Sequence, residues 1–357
     1  MLNETALIES LPDREINMTD MEPPCIEQSI FTFPGLETFQ STLDHVLFLL
    51  CLISTCLSIY VIRIALRHIR RGSCEKCLHV FLISMTCGDL LLTIFCYPLE
   101  FIIRLDMVTI PRIVNITVHF VTWVALSGSS VSLILLNLEK LLFFRYPLRY
   151  NSYVTRRRGI TIIVFTWGAC VIFVSVAWIT GCFTCSDAQC STLSLLPDKK
   201  HMYLLFSLSV CIIPTLTSLA VAFYILKIVK SQNKKLAEEQ ALYHTNDRSS
   251  SPQQHQRGKH SKLRVFYFIF MTTVFTAATL LPFRLYQLHQ KFLSEPLLPG
   301  TKKACASYYG LWFMVYLVSL NAILNPFITV TVLPQYRCKI LDRIRRRSGS
   351  DTRMTEV

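Results

Sequence analysis

The hydrophobic residues of this chain are gathered into long blocks instead of recurring at a helix or strand period. Residues 78–99 contain one charged residue, Asp89, and six other stretches contain no Asp, Glu, Lys or Arg: 45–62, 113–138, 159–186, 202–226, 265–283 and 304–336. About 20 apolar residues cross the hydrocarbon core of a bilayer as a helix, and a soluble helix is seldom apolar all round. The pattern predicts an all-α membrane protein, a seven-transmembrane helix bundle with spans at about 44–66, 78–103, 113–142, 159–181, 202–229, 263–290 and 306–333.

Polar segments flank and interrupt this bundle. Residues 1–43 are acidic and lack the basic start of a cleavable signal, so we expect an extracellular tail there and the bundle at 44–334. A polar insert rich in His, Gln, Lys and Ser predicts a disordered cytoplasmic loop at about 231–260. In 335–357, apolar residues recur at helical spacing between basic ones, which predicts a short amphipathic eighth helix and then a cytoplasmic tail: Tyr336, Ile340, Leu341 and Ile344.

Charge then indicates the orientation. Lys and Arg are concentrated in the loops after the first, third and fifth spans and after the seventh. Basic loops stay in the cytoplasm, so we expect a multi-pass plasma-membrane protein with an extracellular N-terminus and a cytoplasmic C-terminus. The net charge of +13 is then mostly a topology signal. Nucleic-acid binding is not expected, because the basic residues alternate with spans instead of gathering on one face.

Sites of covalent modification are predicted on both sides of the membrane. Outside, Asn3 and Asn17 lie in glycosylation sequons, and five cysteines are disulfide candidates whose pairing the sequence does not decide: Cys25, Cys182, Cys185, Cys190 and Cys305. Zinc at Cys182-x-x-Cys185 is the less favoured alternative in an oxidising loop. Inside, Cys338 is a palmitoylation candidate. The chain ends in a form that PDZ domains read: Thr355, Glu356 and Val357.

Several polar residues lie within the spans, where a charge costs about 2.5–3.5 kcal/mol on insertion scales. They are Asp89 in the second span, Ser129 and Asn137 in the third, and Asn321 and Asn325 in the seventh. Asn321 and Asn325 share a helix face because they are four residues apart. Two interpretations are open: hydrogen bonds that hold the helices together, or a hydrated cluster that holds a small cation.

Motifs on successive spans resemble those of the rhodopsin-like (class A) G-protein-coupled receptors. The segment SMTCGDLLL surrounds Asp89, Trp167 lies in the fourth span, and RYPLRY follows the third. Three prolines match the family's helix kinks: Pro214, Pro282 and Pro326, the last of which follows Asn325 as in the Asn-Pro-x-x-Tyr motif. The resemblance covers roughly residues 40–346.

The resemblance implies where coupling takes place. Glu139-Lys140-Leu141 stands where the family has Asp-Arg-Tyr, so the G-protein contact is expected at Glu139, Lys140 and Pro147. Lys lacks the planar donor fork of Arg, and the alternative is a pair of charges that reach from a helix end into water. Thr329 and Leu280 replace the family's Tyr and Trp. Asn115 replaces the Cys of its hallmark disulfide, which implies a bridge within the second outer loop and a contact between Cys25 and Cys305.

The resemblance also implies two sites in the bundle. Asp89, Ser129, Asn321 and Asn325 fall on the family's sodium site, so Na⁺ at Asp89 is the one bound ion expected and no other cofactor is. The expected ligand pocket contains eight residues: Glu100, His119, Thr122, Trp123, Phe283, Arg284, Gln287 and Trp312. Because Thr122 replaces the acid of amine receptors, a peptide or an acidic small molecule anchored by Arg284 is favoured over a monoamine. The alternative is that Arg284 pairs with Glu100 and holds the bundle together.

The resemblance therefore implies a cell-surface receptor that binds an extracellular ligand and activates heterotrimeric G proteins. Arrestin and the lipid bilayer are further expected partners. An enzyme is not expected, because metalloprotease, nucleophile-elbow and phosphate-loop motifs are absent from the sequence. Two alternatives remain open: a receptor-like scaffold without G-protein turnover, and an ion channel or transporter that uses the Asp89 cluster.

Overall fold

Seven long helices make up nearly all of the described protein. The computed structural model describes residues 36–71, 76–104, 110–146, 149–185, 190, 193–195, 200–243, 253–292 and 302–336. The helices are α1 (Leu36–Arg70), α2 (Lys76–Leu91, continued by Tyr97–Arg104), α3 (Arg112–Arg145), α4 (Arg156–Ile179), α5 (Lys200–Ser207, continued by Ile213–Tyr243), α6 (Gln253–Phe292) and α7 (Lys302–Val332). Each is long and apolar enough to cross a membrane, as expected where lipid offers no partner to backbone polar groups. The predicted all-α seven-helix bundle is confirmed.

Several sequence predictions lie outside the described residues. They are the tail with Asn3, Asn17 and Cys25, the coupling residue Pro147, the amphipathic helix beyond Tyr336 with Cys338, and the C-terminal Thr355, Glu356 and Val357. Of Cys305 and Trp312 the structure describes the helix but not the side chains. The interval 231–260, predicted to be disordered, is helical at 231–243 and 253–260. The strong helix formers in KKLAEEQAL explain the extension of α5.

Short elements connect the helices. A four-residue helix, Tyr150–Tyr153, follows α3, and a 3₁₀ turn, Pro334–Tyr336, follows α7. Between α4 and α5, strand β1 (Phe183–Cys185) pairs antiparallel with β2 (Leu193–Leu195). Phe183 is buried and stacks on Trp123 of α3, with ring centroids 5.4 Å apart. The hairpin therefore packs against α3.

Prolines modify α2 and α5. A π-helical turn precedes Pro98 at Leu92–Cys96, and another precedes Pro214 at Leu208–Ile212. Proline has no N–H, and its ring crowds the carbonyl four residues earlier, which here belongs to a residue inside each π turn. Pro282 and Pro326 lie within the continuous helices α6 and α7. Pro98 was not among the predicted kink positions.

Small residues bring α3 close to α2 and α4. A Cβ on Gly88 would lie 2.9 Å from the carbonyl oxygen of Ala125, and one on Gly128 would lie 2.9 Å from the Trp167 ring. Trp167 Nε1 donates to Ser84 Oγ at 2.9 Å. Close approach at small residues is the usual way in which membrane helices pack. Here it holds Asp89, which follows Gly88, directly beside α3.

Candidate functional site

Asp89 is the centre of a polar cluster between α2, α3 and α7. The residue is 2% exposed. Oδ1 accepts a hydrogen bond from Ser129 Oγ and Oδ2 accepts one from Asn325 Nδ2, both at 2.9 Å. Nearby, Thr276 Oγ1 donates to Asn321 Oδ1 at 3.1 Å, which adds α6 to the group. The structure thus brings Asp89, Ser129, Asn321 and Asn325 together.

A small internal cavity adjoins this cluster. The four predicted residues line it together with Met85, Leu92, Leu126, Ser130, Leu133, Thr276, Leu280 and Ala322. The cavity volume is about 10 Å³, which is the lower limit for one water molecule. Asn325 Oδ1 is buried and has no hydrogen-bond partner among the described residues. Carboxylate, hydroxyl and amide oxygens suit a hard cation, so the donor set fits an ion the size of Na⁺.

Arg284 is the centre of a second cluster, between α3, α5 and α6. The side chain is 3% exposed. Its guanidinium carbon lies 4.5 Å from the Trp123 ring centroid and 5.1 Å from that of Phe283. Nη1 donates to Gln287 Oε1 at 3.0 Å, and Tyr203 donates its hydroxyl to the same oxygen at 2.9 Å. Between the described residues no ion pair joins Arg284 to Glu100.

Two other predicted pocket residues, His119 and Thr122, make contacts of their own, and no hydrogen bond between described residues joins either of them to Arg284. His119 Nε2 lies 3.1 Å from the carbonyl oxygen of Cys190, so it contacts the loop after β1. Thr122 donates to Val118 of its own helix at 2.8 Å. Tyr203 and Phe183 contact the cluster and were missed by sequence reasoning. Nothing near them in the sequence marks Tyr203 or Phe183, because their contacts arise only when distant segments pack.

Glu139 and Lys140 form an ion pair at the opposite end of α3. Lys140 Nζ lies 3.3 Å from Glu139 Oε2, and both side chains are almost fully buried. Tyr150 of the short helix donates its hydroxyl to Glu139 Oε1. Tyr150 was missed as a partner, although it stands in the RYPLRY segment that sequence reasoning singled out. The acid is therefore held by a cation and a hydroxyl at once.

A cluster of rings lies near this end as well. His79 Nδ1 lies 2.6 Å from the hydroxyl oxygen of Tyr336, and both residues are fully buried. His68 of α1 stacks on His79 with ring centroids 4.9 Å apart. The three rings join the start of α2 and the end of α1 to the turn after α7. Tyr336, predicted on the apolar face of a surface helix, thus packs into the bundle.

The disulfide of the loop after α4 joins Cys185 and Cys190. It closes within its own loop, and Asn115 stands in α3 where a cysteine would have tied the loop to the bundle. Cys182, another of the five candidates, is outside this bridge: its thiol is buried and lies 3.8 Å from Thr180 Oγ1. Sequence spacing alone did not distinguish Cys182 from Cys185.

Comparisons with known proteins agree with this architecture. The family described as 7 transmembrane receptor (rhodopsin family) matches residues 58–328. The chain is 26% identical over 312 residues to G-protein coupled receptor aex-2 of Caenorhabditis elegans, which covers 85% of this chain and 84% of that protein. It is 28% identical over 137 residues to galanin receptor 2a of Danio rerio, 38% of this chain and 36% of that protein. These relatives are receptors and not enzymes.

The family match covers most of the chain and includes the Asp89 cluster, the Glu139–Lys140 pair and Arg284. Seven helices suited to a bilayer make the protein a multi-pass membrane protein. The chain therefore belongs to the rhodopsin family of seven-transmembrane receptors.

Proposed function

We propose that the protein is a plasma-membrane receptor for a ligand with an anionic group, an acidic small molecule or a peptide carboxylate, and that it activates heterotrimeric G proteins. The Arg284 end of the bundle faces the outside and the Lys140 end faces the cytoplasm, in keeping with the basic loops. The observation that carries the ligand class is the buried guanidinium of Arg284.

A buried cation needs compensation. Arg284 is 3% exposed, and no carboxylate among the described residues lies within ion-pair distance of it. Its Nε is buried and has no hydrogen-bond partner in the part of the chain that the structure describes. Trp123 and Gln287 offer a π face and one neutral acceptor, which replace only part of the lost hydration. A carboxylate from a ligand would supply the missing charge through two parallel hydrogen bonds.

The same region disfavours a monoamine. Position 122 of α3 holds a threonine whose hydroxyl bonds its own helix, and the described cluster presents a cation to the ligand. A protonated amine would meet Arg284 as a like charge, which is costly at low dielectric. Galanin receptor 2a matches 38% of the chain, too short a part for its ligand to be assigned here, and the anionic ligand class follows from Arg284 alone.

The Glu139–Lys140 pair supports the coupling part of the proposal. The two side chains form a buried ion pair at this end of α3, and Tyr150 donates a further hydrogen bond to Glu139. The Lys140 ammonium is therefore held inside the bundle. Separation of the pair would free the ammonium for a carbonyl or carboxylate of a docking protein. Arrestin and a PDZ protein bound at Thr355, Glu356 and Val357 remain predicted partners.

Na⁺ is proposed as the bound ion of the Asp89 cluster. Asp89, Ser129 and the free Oδ1 of Asn325 would hold it, and it would neutralise the carboxylate inside the bundle. An ion that fits only the compact cavity would favour the arrangement of α2, α3 and α7 seen here, which we take as the resting state.

The proposal is tested with purified receptor in lipid nanodiscs and Gs, Gi and Gq heterotrimers. Nucleotide exchange is measured with a library of carboxylates and peptides, each paired with its neutral amide. We expect an acidic agonist whose amide is at least tenfold weaker, a difference typical of charge-assisted hydrogen bonds. Arg284→Gln should remove that preference, whereas Tyr286→Phe, two residues along α6 and so about 200° round the helix from Arg284, should keep it. An agonist that acts equally well as acid and amide, or a response confined to amines, would contradict the ligand class.

A further inference from the structure

A polar contact at Asn137 joins three helices between the Arg284 cluster and the Glu139–Lys140 pair. Asn137 Nδ2 lies 2.5 Å from Ser218 Oγ of α5, 3.0 Å from Thr273 Oγ1 of α6 and 3.0 Å from the carbonyl oxygen of Leu133 on its own helix. Asn137, Ser218 and Thr273 are each at most 1% exposed. These are the only hydrogen bonds between described residues that join α3 to α5 or α6.

The amide must be the donor in this group. The carbonyl oxygen of Leu133 only accepts, so the atom that faces it has to be the nitrogen and not Oδ1. One NH₂ group has two hydrogens and three acceptors here, and Oδ1 has no partner among the described residues. The two hydrogens of Nδ2 are therefore shared among three acceptors, and Oδ1 alone is left unsatisfied among the described residues. Such a network fixes one geometry of the three helices, but it contributes little net free energy because one buried polar atom is unsatisfied.

Ser218 and Thr273 differ from the other hydroxyls of their helices. The neighbours Thr215 and Thr272 donate to carbonyls one turn back in their own helices, at 2.7 Å and 2.9 Å. Between described residues, the hydrogen bonds of Ser218 and Thr273 go to Asn137 and not to their own backbone. Their hydroxyl groups thus serve the contact between helices.

The position of the contact links the two ends of the receptor. On α3, Asn137 precedes Glu139 by one helical half-turn, and on α6, Thr273 lies about 16 Å below Arg284 at 1.5 Å per residue. Toward the Lys140 end, α5 and α6 contact α3 through apolar side chains, including Ile225, Phe266 and Phe144. Apolar contacts in a membrane can slide with little directional cost, whereas hydrogen bonds fix one arrangement.

We propose that Asn137, with Ser218 and Thr273, is a clamp that holds α5 and α6 against α3 in the resting receptor and is released on activation. This rests on the proposed function, since release of the clamp would allow the Lys140 end to accept a G protein. The clamp is a two-state element that both ends can bias. A ligand that moves α6 through Arg284 would pull Thr273 away from Asn137.

The test compares isosteric variants of neighbouring residues in the full-length receptor in nanodiscs. Thr273→Val and Ser218→Ala each remove one partner of Asn137, while Thr272→Val and Thr215→Val remove hydroxyls that bond within a helix. Without any ligand, exchange on Gs, Gi and Gq heterotrimers should rise about threefold to tenfold in Thr273→Val and Ser218→Ala, the value of one hydrogen bond. The control variants should stay at the wild-type rate.

Hydrogen–deuterium exchange of the same proteins separates the clamp from the coupling proposal. Amides of 218–229 and 265–275 should exchange faster in Thr273→Val than in Thr272→Val. Faster amide exchange with no G protein activated by any variant would support the clamp and count against coupling. If Thr273→Val and Thr272→Val have equal basal activity and equal amide exchange, the contact is only a structural bond and the clamp is overturned.

Discussion

Lys140 shows how one side chain can alter the signalling end of a receptor. Its ammonium lies 3.3 Å from the carboxylate of Glu139 inside the bundle, and it also lies 5.4 Å from the Phe143 ring centroid. A lysine is a point charge on a flexible stem, whereas arginine offers a planar fork. Glu139 compensates with a second partner, Tyr150. Each member of the pair thus has a further contact, Glu139 with the Tyr150 hydroxyl and Lys140 with the Phe143 ring.

Substitutions at this pair should act in opposite directions. Lys140→Ala should reduce G-protein exchange with surface expression kept, and Lys140→Arg should retain or increase it because a guanidinium restores the donor fork. Glu139→Gln should raise basal exchange, since it removes the charge that holds Lys140. Exchange is measured on purified receptor at matched surface yield. Equal exchange in wild type, Lys140→Ala and Lys140→Arg would leave Lys140 with no part in coupling.

At the scale of elements, the blocks of apolar residues were sufficient to predict the seven helices. Lipid leaves the backbone no other partner, so a long uncharged block becomes a helix. The Asp89 cluster was predicted through the resemblance, which places Asp89, Ser129, Asn321 and Asn325 on one site, whereas spacing alone showed only that Asn321 and Asn325 share a helix face. The π turn before Pro98, the Tyr150 hydrogen bond and the contacts of Phe183 and Tyr203 were not predicted. The contacts of Phe183 and Tyr203 depend on how segments distant in sequence pack, which neither spacing nor composition encodes. A proline marks an interruption of the helical hydrogen bonds but does not show that a π turn forms there.

The hairpin between α4 and α5 offers a test at this scale. Cys185 and Cys190 are five residues apart, and closing a loop of this length is worth about 2 kcal/mol in the chain-entropy model. The double variant Cys185→Ala/Cys190→Ala should therefore melt at a lower temperature than wild type. Cys182→Ala, which leaves the bridge intact, should lose less. Non-reducing peptide mapping that finds Cys182 bridged in native protein would contradict this assignment.

At the scale of the molecule, α3 is the helix through which the described sites are connected. It supplies Trp123 to the Arg284 cluster, Ser129 to the Asp89 cluster, Asn137 to the clamp, and Glu139 with Lys140 to the far end. Gly88 and Gly128 let α2 and α4 approach it closely. A shift of α3 at one of these sites can thus change the contacts at the next site, provided that the helices have two alternative packed arrangements.

An ion in the Asp89 cavity would shift the equilibrium between the two helix arrangements, and this effect can be measured without a ligand. If Na⁺ binds the resting arrangement alone, NaCl should raise the melting temperature above that in KCl at equal ionic strength. At ten times the dissociation constant the gain is about 1.4 kcal/mol. The same Na⁺ should lower basal nucleotide exchange, because it selects against the other arrangement. Asp89→Asn removes the carboxylate and should abolish both differences between the two salts.

Thr86→Val is the matched control, since its buried hydroxyl on α2 bonds Leu82 of the same helix at 2.8 Å and does not line the cavity. It should change the melting temperature equally in both salts. A difference between NaCl and KCl that persists in Asp89→Asn would show that the cluster only joins helices.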